Sequence, residues 1–312
     1  MIIGIDIGGT KTAVIFGENE KVVRREAFKT SDWKSTLDTV MKVMEECDRI
    51  EAVGISCGGP LDSKRGVIMS PPNLPGWDNV EVVRMIKERF NVPVMLQNDA
   101  NACAVAEWKF GAGKGSKNMV FFTFGTGLGA GIIIDGKLYS GTNDMAGEAG
   151  HIRLSDHGPV GYGKAGSFEG FCSGAGIAAL GKIKATEQLQ MGKSVSYCKS
   201  YDELSNVTAK LIADFAHNGE EDAKDVYREC GRMLGFGLSV IIDILNPERI
   251  VLGSVFERSH DLLTEEMYKV INKETLEASR KVCEILPAKL GDEIGDYAAL
   301  AIGYTALAEE RK

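Results

Sequence analysis

Asp6-Ile7-Gly8-Gly9-Thr10-Lys11 and Gly125-Thr126-Gly127-Leu128-Gly129 carry most of the information in this chain. Each glycine-punctuated turn follows a short apolar strand, Ile2 to Ile5 in one case and Met119 to Phe122 in the other. Each leads into a further strand, Thr12 to Phe16 and Ala130 to Ile134. A strand, glycine turn, strand unit written twice points to two related half-domains facing each other across a cleft. Glycine permits φ > 0 and close approach, so such turns present backbone N–H groups that cradle phosphate oxygens. A phosphate-bearing ligand is the first expectation, and a nucleotide is the obvious candidate.

Composition narrows the class. The 312 residues suffice for two domains of ordinary size. A hydrophobic fraction of 44% with 26% charged residues describes a globular chain rather than a disordered one. The net charge of −8 offers no electrostatic footing for nucleic acid. No apolar run approaches the ~20 residues of a membrane-spanning helix, and no charged segment followed by an apolar one opens the chain. Seven cysteines, an odd number without paired spacing, fit a reducing cytoplasm better than a disulfide framework. A cytoplasmic protein without nucleic-acid or membrane partners is therefore expected.

Periodicity predicts strands at 2–7, 12–17, 21–27, 51–56, 66–70 and 93–97 in the first half. A helix over about 33–48 follows from Leu37, Val40, Met41 and Met44 sharing one face. A second helix opens at Asn98 or Asp99 and ends at Gly111. The Gly111–Lys117 stretch reads as the crossover between domains. Beyond it come strands at 119–124, 130–135, 249–252 and 282–286, and helices at about 174–190, 202–217, 221–245 and 296–310. Asn246-Pro247 stops the third of these. Alternating strands and helices imply an α/β fold of mostly parallel sheets covered on their faces. The expected domains are 1–115, joined by the C-terminal helix 296–312, and 116–295. Ligands in such folds sit beyond the strand ends, where the glycine turns lie.

Asp6 ends the first strand inside the first turn. A carboxylate beside phosphates repels them unless a cation lies between, so its functional reading is Mg²⁺, bound directly or through water. The competing reading is an Asp that caps its own turn. Thr10 and Lys11 are donors to phosphate oxygens. Gln97-Asn98-Asp99-Ala100-Asn101 ends an apolar strand and opens a helix. An Asn-Asp pair there suits an N-cap, yet three successive polar groups exceed what capping needs. Asp99 is placed to accept a hydroxyl proton as that oxygen attacks a γ-phosphoryl group, a step that asks mainly for positioning.

Ser70-Pro71-Pro72-Asn73-Leu74-Pro75-Gly76-Trp77 is a rigid loop that presents an amide and an aromatic face to a polyol, unless its prolines only shape a crossing loop. Glu148, His151 and Glu169 add two carboxylates and an imidazole in a glycine-rich segment, suited to hydroxyl recognition. Gly231, Gly235 and Gly237 suit close helix packing. Cys57 reads as a small buried residue, and His217 and His260 as surface residues.

In this order the motifs resemble the ROK family of sugar kinases, open reading frames and repressors, over nearly the whole chain. Asp6 to Lys11 is similar to the family's first phosphate motif and Gly125 to Gly131 to its second. Gly58-Gly59-Pro60-Leu61-Asp62 and Asn73 to Trp77 resemble the segments lining the sugar cleft. Asn98-Asp99-Ala100-Asn101, Ala106-Glu107-Trp108 and Phe110-Gly111-Ala112-Gly113 follow the family pattern closely. Asn246 to Gly253 resembles the strand beside adenosine.

The resemblance implies an actin-like, ribonuclease-H-like ATPase fold with domain closure over a sugar. It implies ATP and Mg²⁺ as cofactors, a small-molecule sugar as substrate and a homo-oligomer. Asp99 is then the general base, and Asn73, Asn98, Glu148, His151 and Glu169 hold sugar hydroxyls. Asp6, Gly8, Gly9, Thr10, Lys11, Gly125, Thr126, Gly127 and Gly253 bind the nucleotide, with Asp6 on the Mg²⁺ side. The expected activity is phosphorylation of a hexose or hexose derivative at the 6-hydroxyl, as in a glucokinase. The alternatives are an N-acetylhexosamine, fructose, allose or β-glucoside kinase, and a catalytically silent sugar sensor on the same fold.

One departure stands out. The family continues past the histidine into a zinc segment with three cysteines, where this chain has Val160, Tyr162 and Ser167. Four ligands are needed for a tetrahedral site, so no zinc is expected, and Val160, Tyr162 and Phe168 are available to pack in its place. A makeshift site of His151, His157 and Cys172 is the less favoured alternative. What the departure touches is the orientation of His151, which zinc fixes in the family. No helix-turn-helix segment precedes the first motif, which argues against DNA binding.

Overall fold

The computed structural model describes residues 1–311. Its first strand, β1 (Ile2–Ile7), is apolar on both faces and buried along nearly its whole length, as a central strand of a covered sheet must be. β2 (Lys11–Glu18) returns antiparallel after the first glycine turn, and β3 (Lys21–Lys29) returns once more with alternating burial. Then come α1 (Trp33–Glu45), β4 (Ala52–Cys57), the short hairpin of β5 (Leu61–Asp62) and β6 (Val67–Ile68), α2 (Val82–Phe90), β7 (Val94–Asn98) and α3 (Asp99–Phe110). β4 joins β1 in parallel and β7 joins β4, giving the order β3-β2-β1-β4-β7. An antiparallel meander continued by parallel strands is the ribonuclease-H-like arrangement.

The same succession then recurs. β8 (Met119–Phe122) leads through the second glycine turn to β9 (Ala130–Ile134) and its antiparallel partner β10 (Lys137–Tyr139). A 3-10 turn at Glu148–His151 precedes the hairpin of β11 (Val160–Gly161) and β12 (Lys164–Ala165). α4 (Phe168–Phe171), α5 (Gly174–Gln190), a 3-10 turn at Tyr201–Asn206, α6 (Ala209–His217) and α7 (Glu221–Leu245) come next. β13 (Arg249–Leu252), α8 (Val255–Glu274), α9 (Glu277–Val282), β14 (Glu284–Pro287) and α10 (Ile294–Glu310) complete the described chain. β13 lies parallel between β8 and β14, as β4 lies between β1 and β7.

Contacts divide the chain into two units. One contains 1–117, 131–146 and the stretch from Lys289 onward; the other contains 118–130 and 147–288. Asp144 ties the 131–146 segment into the first unit, because its carboxylate accepts from Ser63 N (2.8 Å) and Ser63 Oγ (2.6 Å). In the first unit α10 lies directly on the sheet, and glycines make the approach feasible. A Cβ at Gly54 would sit 2.1 Å from Gly303 N, and one at Gly4 would sit 2.9 Å from Ala299 Cβ. In the second unit Gly231 and Gly235 of α7 meet the Leu263 and Met267 carbonyls of α8, each of which would lie 2.6 Å from an added Cβ. These glycines serve close packing, as their spacing suggests.

Several elements differ from the sequence reading. The expected helix over 202–217 is broken at Val207-Thr208, because the Thr208 side chain caps α6 by accepting from Leu211 N (3.1 Å). The strand expected at 66–70 keeps only two residues, and α1 stops three residues short. α2 and α8 are absent from the sequence reading. α2 has no side-chain cap, and α8 carries a kink at Ser259 that blurs its period.

Glu107, in the last turn of α3, is fully buried, and its carboxylate is surrounded by backbone donors. Oε1 accepts from Lys289 N (2.9 Å) and Leu290 N (2.8 Å), while Oε2 accepts from Ala112 N (2.7 Å). A buried carboxylate is tolerable because these three donors replace water. Glu107→Gln turns one acceptor oxygen into a donor facing an N–H. It should lower unfolding stability by about 1–3 kcal/mol, measured by denaturant unfolding; an unchanged midpoint would refute this role.

Candidate active site

The first glycine turn is closed by Gly8 N donating to Lys11 O (3.0 Å) and by Thr30 Oγ1 donating to Gly8 O (2.7 Å). The Thr30 hydroxyl also pairs with that of Thr12 at 2.8 Å. Gly9 has no room for a side chain, since a Cβ there would lie 2.3 Å from Asn73 O. The first glycine turn and the proline loop are therefore in backbone contact. Thr10 and Lys11 remain exposed beside it.

The proline loop is anchored from below. Leu74 and Trp77 are buried, and the Trp77 indole donates to Ser31 O (3.2 Å). Trp77 thus offers no aromatic face to a ligand, contrary to the sequence expectation; burial of a large apolar ring outweighs its use as a platform. Asn73 between them is exposed, and its amide lies against Gly58, 3.4 Å from where a Cβ would stand.

The polar run at the start of α3 divides its labour. Asn98 is the N-cap, accepting from Asn101 N (2.7 Å). Gln97 and Asn101 are buried and paired with each other at 3.1 Å, and Gln97 Nε2 donates to Ser140 Oγ (3.3 Å). Asp99 Oδ1 accepts from Ala100 N (2.8 Å). The capping reading holds for Asn98, while Asp99 uses one carboxylate oxygen on the backbone and keeps the other free of a cap. The Asp99 side chain keeps access to solvent, yet protein atoms crowd its carboxyl, and this dehydration raises its pKa against the opposing Ala100 N–H.

Asp6 is more strongly perturbed. Burial first, then the charges of Asp296 and Asp99, push it up to about 6, with Arg25 pulling the other way. Arg25 Nε is held by Asp296 Oδ1 at 2.8 Å, and the Gly295 backbone lies against Asp6, whose Oδ2 would be 3.6 Å from a Cβ there. Sequence reasoning missed Asp296 and Arg25, because nothing in a C-terminal helix or a β3 arginine signals proximity to residue 6. Cys57 is buried as expected, and burial raises its thiol to about 12.

In the second unit the neck of the glycine turn is closed by Thr123 N donating to Gly129 O (2.9 Å) and Gly129 N donating to Thr123 Oγ1 (3.1 Å). The turn is then gripped by the 169–175 segment. Gly174 N donates to Gly125 O (2.7 Å), and Leu128 N donates to Glu169 Oε2 (2.9 Å). Phe124 (φ 36°) and Ser254 (φ 50°) adopt left-handed backbone on either side, joined by Val255 N donating to Phe124 O (3.0 Å). Such conformations in non-glycine residues gather at ligand sites. A cavity of about 800 Å³ opens from this place, bordered by Gly125, Thr126, Gly174, Val207, Tyr227 and Ser254. Its volume and mixed lining suit a nucleotide, and its position at a glycine turn suits the phosphates. His217 borders it too, exposed as its polar surroundings suggested, with its imidazole bonded to Asp261 at 3.1 Å.

Glu148 and His151 stand on one 3-10 turn, with Gly150 between them pressed on the phosphate turn; a Cβ there would lie 2.4 Å from Leu128 O. The His151 ring meets Tyr162 edge-on, with centroids 6.3 Å apart. Tyr162 is 86% and Val160 62% exposed, so neither packs inward as the sequence reading expected; of the three, only Phe168 is in the core, against Phe122. The loop is closed by hydrogen bonds instead. Ser167 Oγ accepts from Gly170 N (3.0 Å), Gly166 N donates to Pro159 O (3.0 Å), and Lys164 Nζ donates to His151 O (2.7 Å). Cys172 is buried with its thiol against Cys230 O (3.5 Å). Among the described residues no group of three or more His, Cys, Asp or Glu side chains is arranged to hold a metal ion, so the His151, His157, Cys172 alternative is not assembled. Nor is any helix among them long and apolar enough to cross a membrane.

Known proteins agree with this geometry. The glucokinase of Streptomyces coelicolor is 31% identical over 302 residues, covering 95% of both chains. A xylose repressor of Caldicellulosiruptor bescii is 31% identical over 255 residues, 81% of this chain but 62% of its own length. The structure of a ROK family glucokinase from Streptomyces griseus, in complex with glucose and AMPPNP, superposes with a TM-score of 0.74 at 29% identity, covering 97% of this chain and 99% of that one. With the profile of the ROK family matching residues 2–310, the chain belongs to the ROK family and has its actin-like, ribonuclease-H-like fold.

Proposed function

We propose that this chain is an ATP-dependent sugar kinase that phosphorylates a hexose or a close hexose derivative at its 6-hydroxyl. The observation that supports this most is Asp99. It is the first residue of α3, its carboxyl is partly dehydrated but reachable by solvent, and the Asn98 cap holds the helix start beneath it. A dehydrated carboxylate is a better proton acceptor than a fully hydrated one.

The roles follow from donor and acceptor chemistry. Asn73, Asn98, Glu148, His151 and Glu169 bind the sugar hydroxyls, since amides and carboxylates together satisfy groups that both donate and accept. Gly8, Gly9, Thr10, Lys11, Gly125, Thr126, Gly127 and Gly253 hold the nucleotide, the phosphates resting on the glycine turns. Asp6 would hold Mg²⁺ directly or through water, and the ion would supply positive charge beside the phosphates. As the sugar oxygen bonds to the γ-phosphorus, its proton passes to Asp99, the bond to the β-phosphate oxygen breaks, and ADP leaves. The similarity to glucokinases, one of them solved in complex with glucose and AMPPNP, points the same way.

An ADP-release assay with Mg-ATP across hexoses and N-acetylhexosamines tests the reading, with phosphorus NMR locating the new ester. One or more hexoses should raise ADP release far above the sugar-free rate. Failure of every sugar, together with sugar-dependent thermal shifts, would make the chain a silent sensor. Asp99→Asn keeps the acceptor that Ala100 N uses, so sugar binding should persist while kcat falls about 10²- to 10⁴-fold; near-normal kcat would remove Asp99 from the role of base.

Asp6 gives a pH signature. An acid whose pKa is raised by folding costs no stability below its unfolded value of 3.8, and the cost is complete above the folded value of about 6. Asp6→Asn removes that cost. Without nucleotide, its stability relative to the unsubstituted protein should therefore rise by about 1–3 kcal/mol between about pH 4 and pH 7. A difference that stays flat across this range, followed by chemical denaturation, would show that Asp6 is not buried among like charges.

A further inference from the structure

We propose that Glu169 is a positioning residue for the second phosphate turn, so that one carboxylate serves the nucleotide site through Oε2 and the sugar through Oε1. Oε2 accepts the Leu128 N–H at 2.9 Å, and Leu128 is buried at 3% exposure, so this donor has no access to water as a substitute. Gly127 fits the same contact: a Cβ there would stand 2.7 Å from Glu169 Oε2, so a side chain at this position would displace the carboxylate from where it sits. No hydrogen bond occupies Oε1 among the described residues, which leaves it to a sugar hydroxyl.

The neighbouring bonds show what the contact controls. The turn is attached to the 169–175 segment by its Gly125 and Thr126 carbonyls, which accept from Gly174 N (2.7 Å) and Ala175 N (3.4 Å). Both lie at the start of the turn. Leu128 N donating to Glu169 is the corresponding attachment at its far end, and Gly150, from the Glu148–His151 turn, lies against Leu128 O. Glu169 itself is set by the Ser167 cap of α4, through Gly170 N at 3.0 Å. The Thr126 and Gly127 amides, whose direction decides how well phosphate is held, are thus suspended between two posts, one of which is the Glu169 carboxylate. A sugar hydroxyl that orders this carboxylate orders the turn, and by linkage a nucleotide that orders the turn favours the sugar. The inference rests on the kinase reading, in which Glu169 binds sugar.

Calorimetric titration of Mg-ADP, with and without the sugar identified by the ADP-release assay, tests it. The unsubstituted protein should bind Mg-ADP more tightly with sugar present. Glu169→Ala should weaken Mg-ADP binding about three- to tenfold in the absence of any sugar, about the value of one lost hydrogen bond, and should abolish the effect of sugar. Glu169→Gln retains an acceptor for Leu128 N and should restore sugar-free Mg-ADP affinity to within about twofold while still impairing the KM for sugar. This separation guards against simple misfolding of the alanine variant, since a merely structural defect would not split the two substrates. Unchanged sugar-free Mg-ADP affinity in Glu169→Ala, with only the sugar KM raised, would overturn the positioning role and leave the kinase reading intact. Loss of sugar-stimulated ADP release in the unsubstituted protein would instead overturn the kinase reading.

Discussion

The first unit depends on the contact of α10 with β1 and β4. Backbone meets backbone there, with Gly54 facing Gly303 N and the Ala299 carbonyl, and Gly4 facing Ala299, at separations no Cβ would tolerate. Close approach brings dispersion contacts along a Gly- and Ala-rich interface, which compensates for the small side chains. Its consequence for the site is positional. With the helix this close, the Gly295 backbone lies against the Asp6 carboxylate, and Asp296 joins Arg25 beside it. The electrostatic environment of a residue at the beginning of the chain is therefore set by residues near its end.

Glu107 answers a related problem by different means. A buried charge must be surrounded by donors, and here the donors come from residues 112, 289 and 290, far apart in sequence. The carboxylate cannot move without stranding three N–H groups. In the second unit the same economy appears at the glycine turn, where Gly125, Leu128 and Glu169 form a bonded set and Gly127 and Gly150 give it clearance. The loop from Pro159 to Gly170 shows a third solution. Ser167 caps α4, and backbone hydrogen bonds close the remainder.

Much of this was readable from one-dimensional pattern. β1, α5, α7 and β13 fall where periodicity and helix-stop signals place them, because the apolar spacing of each element reports its own burial. The N-cap at Asn98 was equally legible, since capping is a local hydrogen bond. Trp77 was not: the prolines around it suggested a presented loop, and only the packing beneath shows that the indole faces inward to Ser31 O. The break in the 202–217 helix came from a threonine whose capping competed with a helical period that continued across it.

Local chemistry in the amino-acid order was enough to establish two glycine turns, an acid at each of two strand ends and the α/β class. These are properties of short segments, where a residue's neighbours in sequence are also its neighbours in space. The environment of Asp6 among Asp99, Asp296 and Arg25, the bonds of Glu107 to the Lys289 and Leu290 amides, and the bond from Leu128 to Glu169 belong to the folded chain alone. Each joins residues separated by tens to hundreds of positions, and desolvation and hydrogen bonding act over a few ångströms regardless of where those residues lie in the chain.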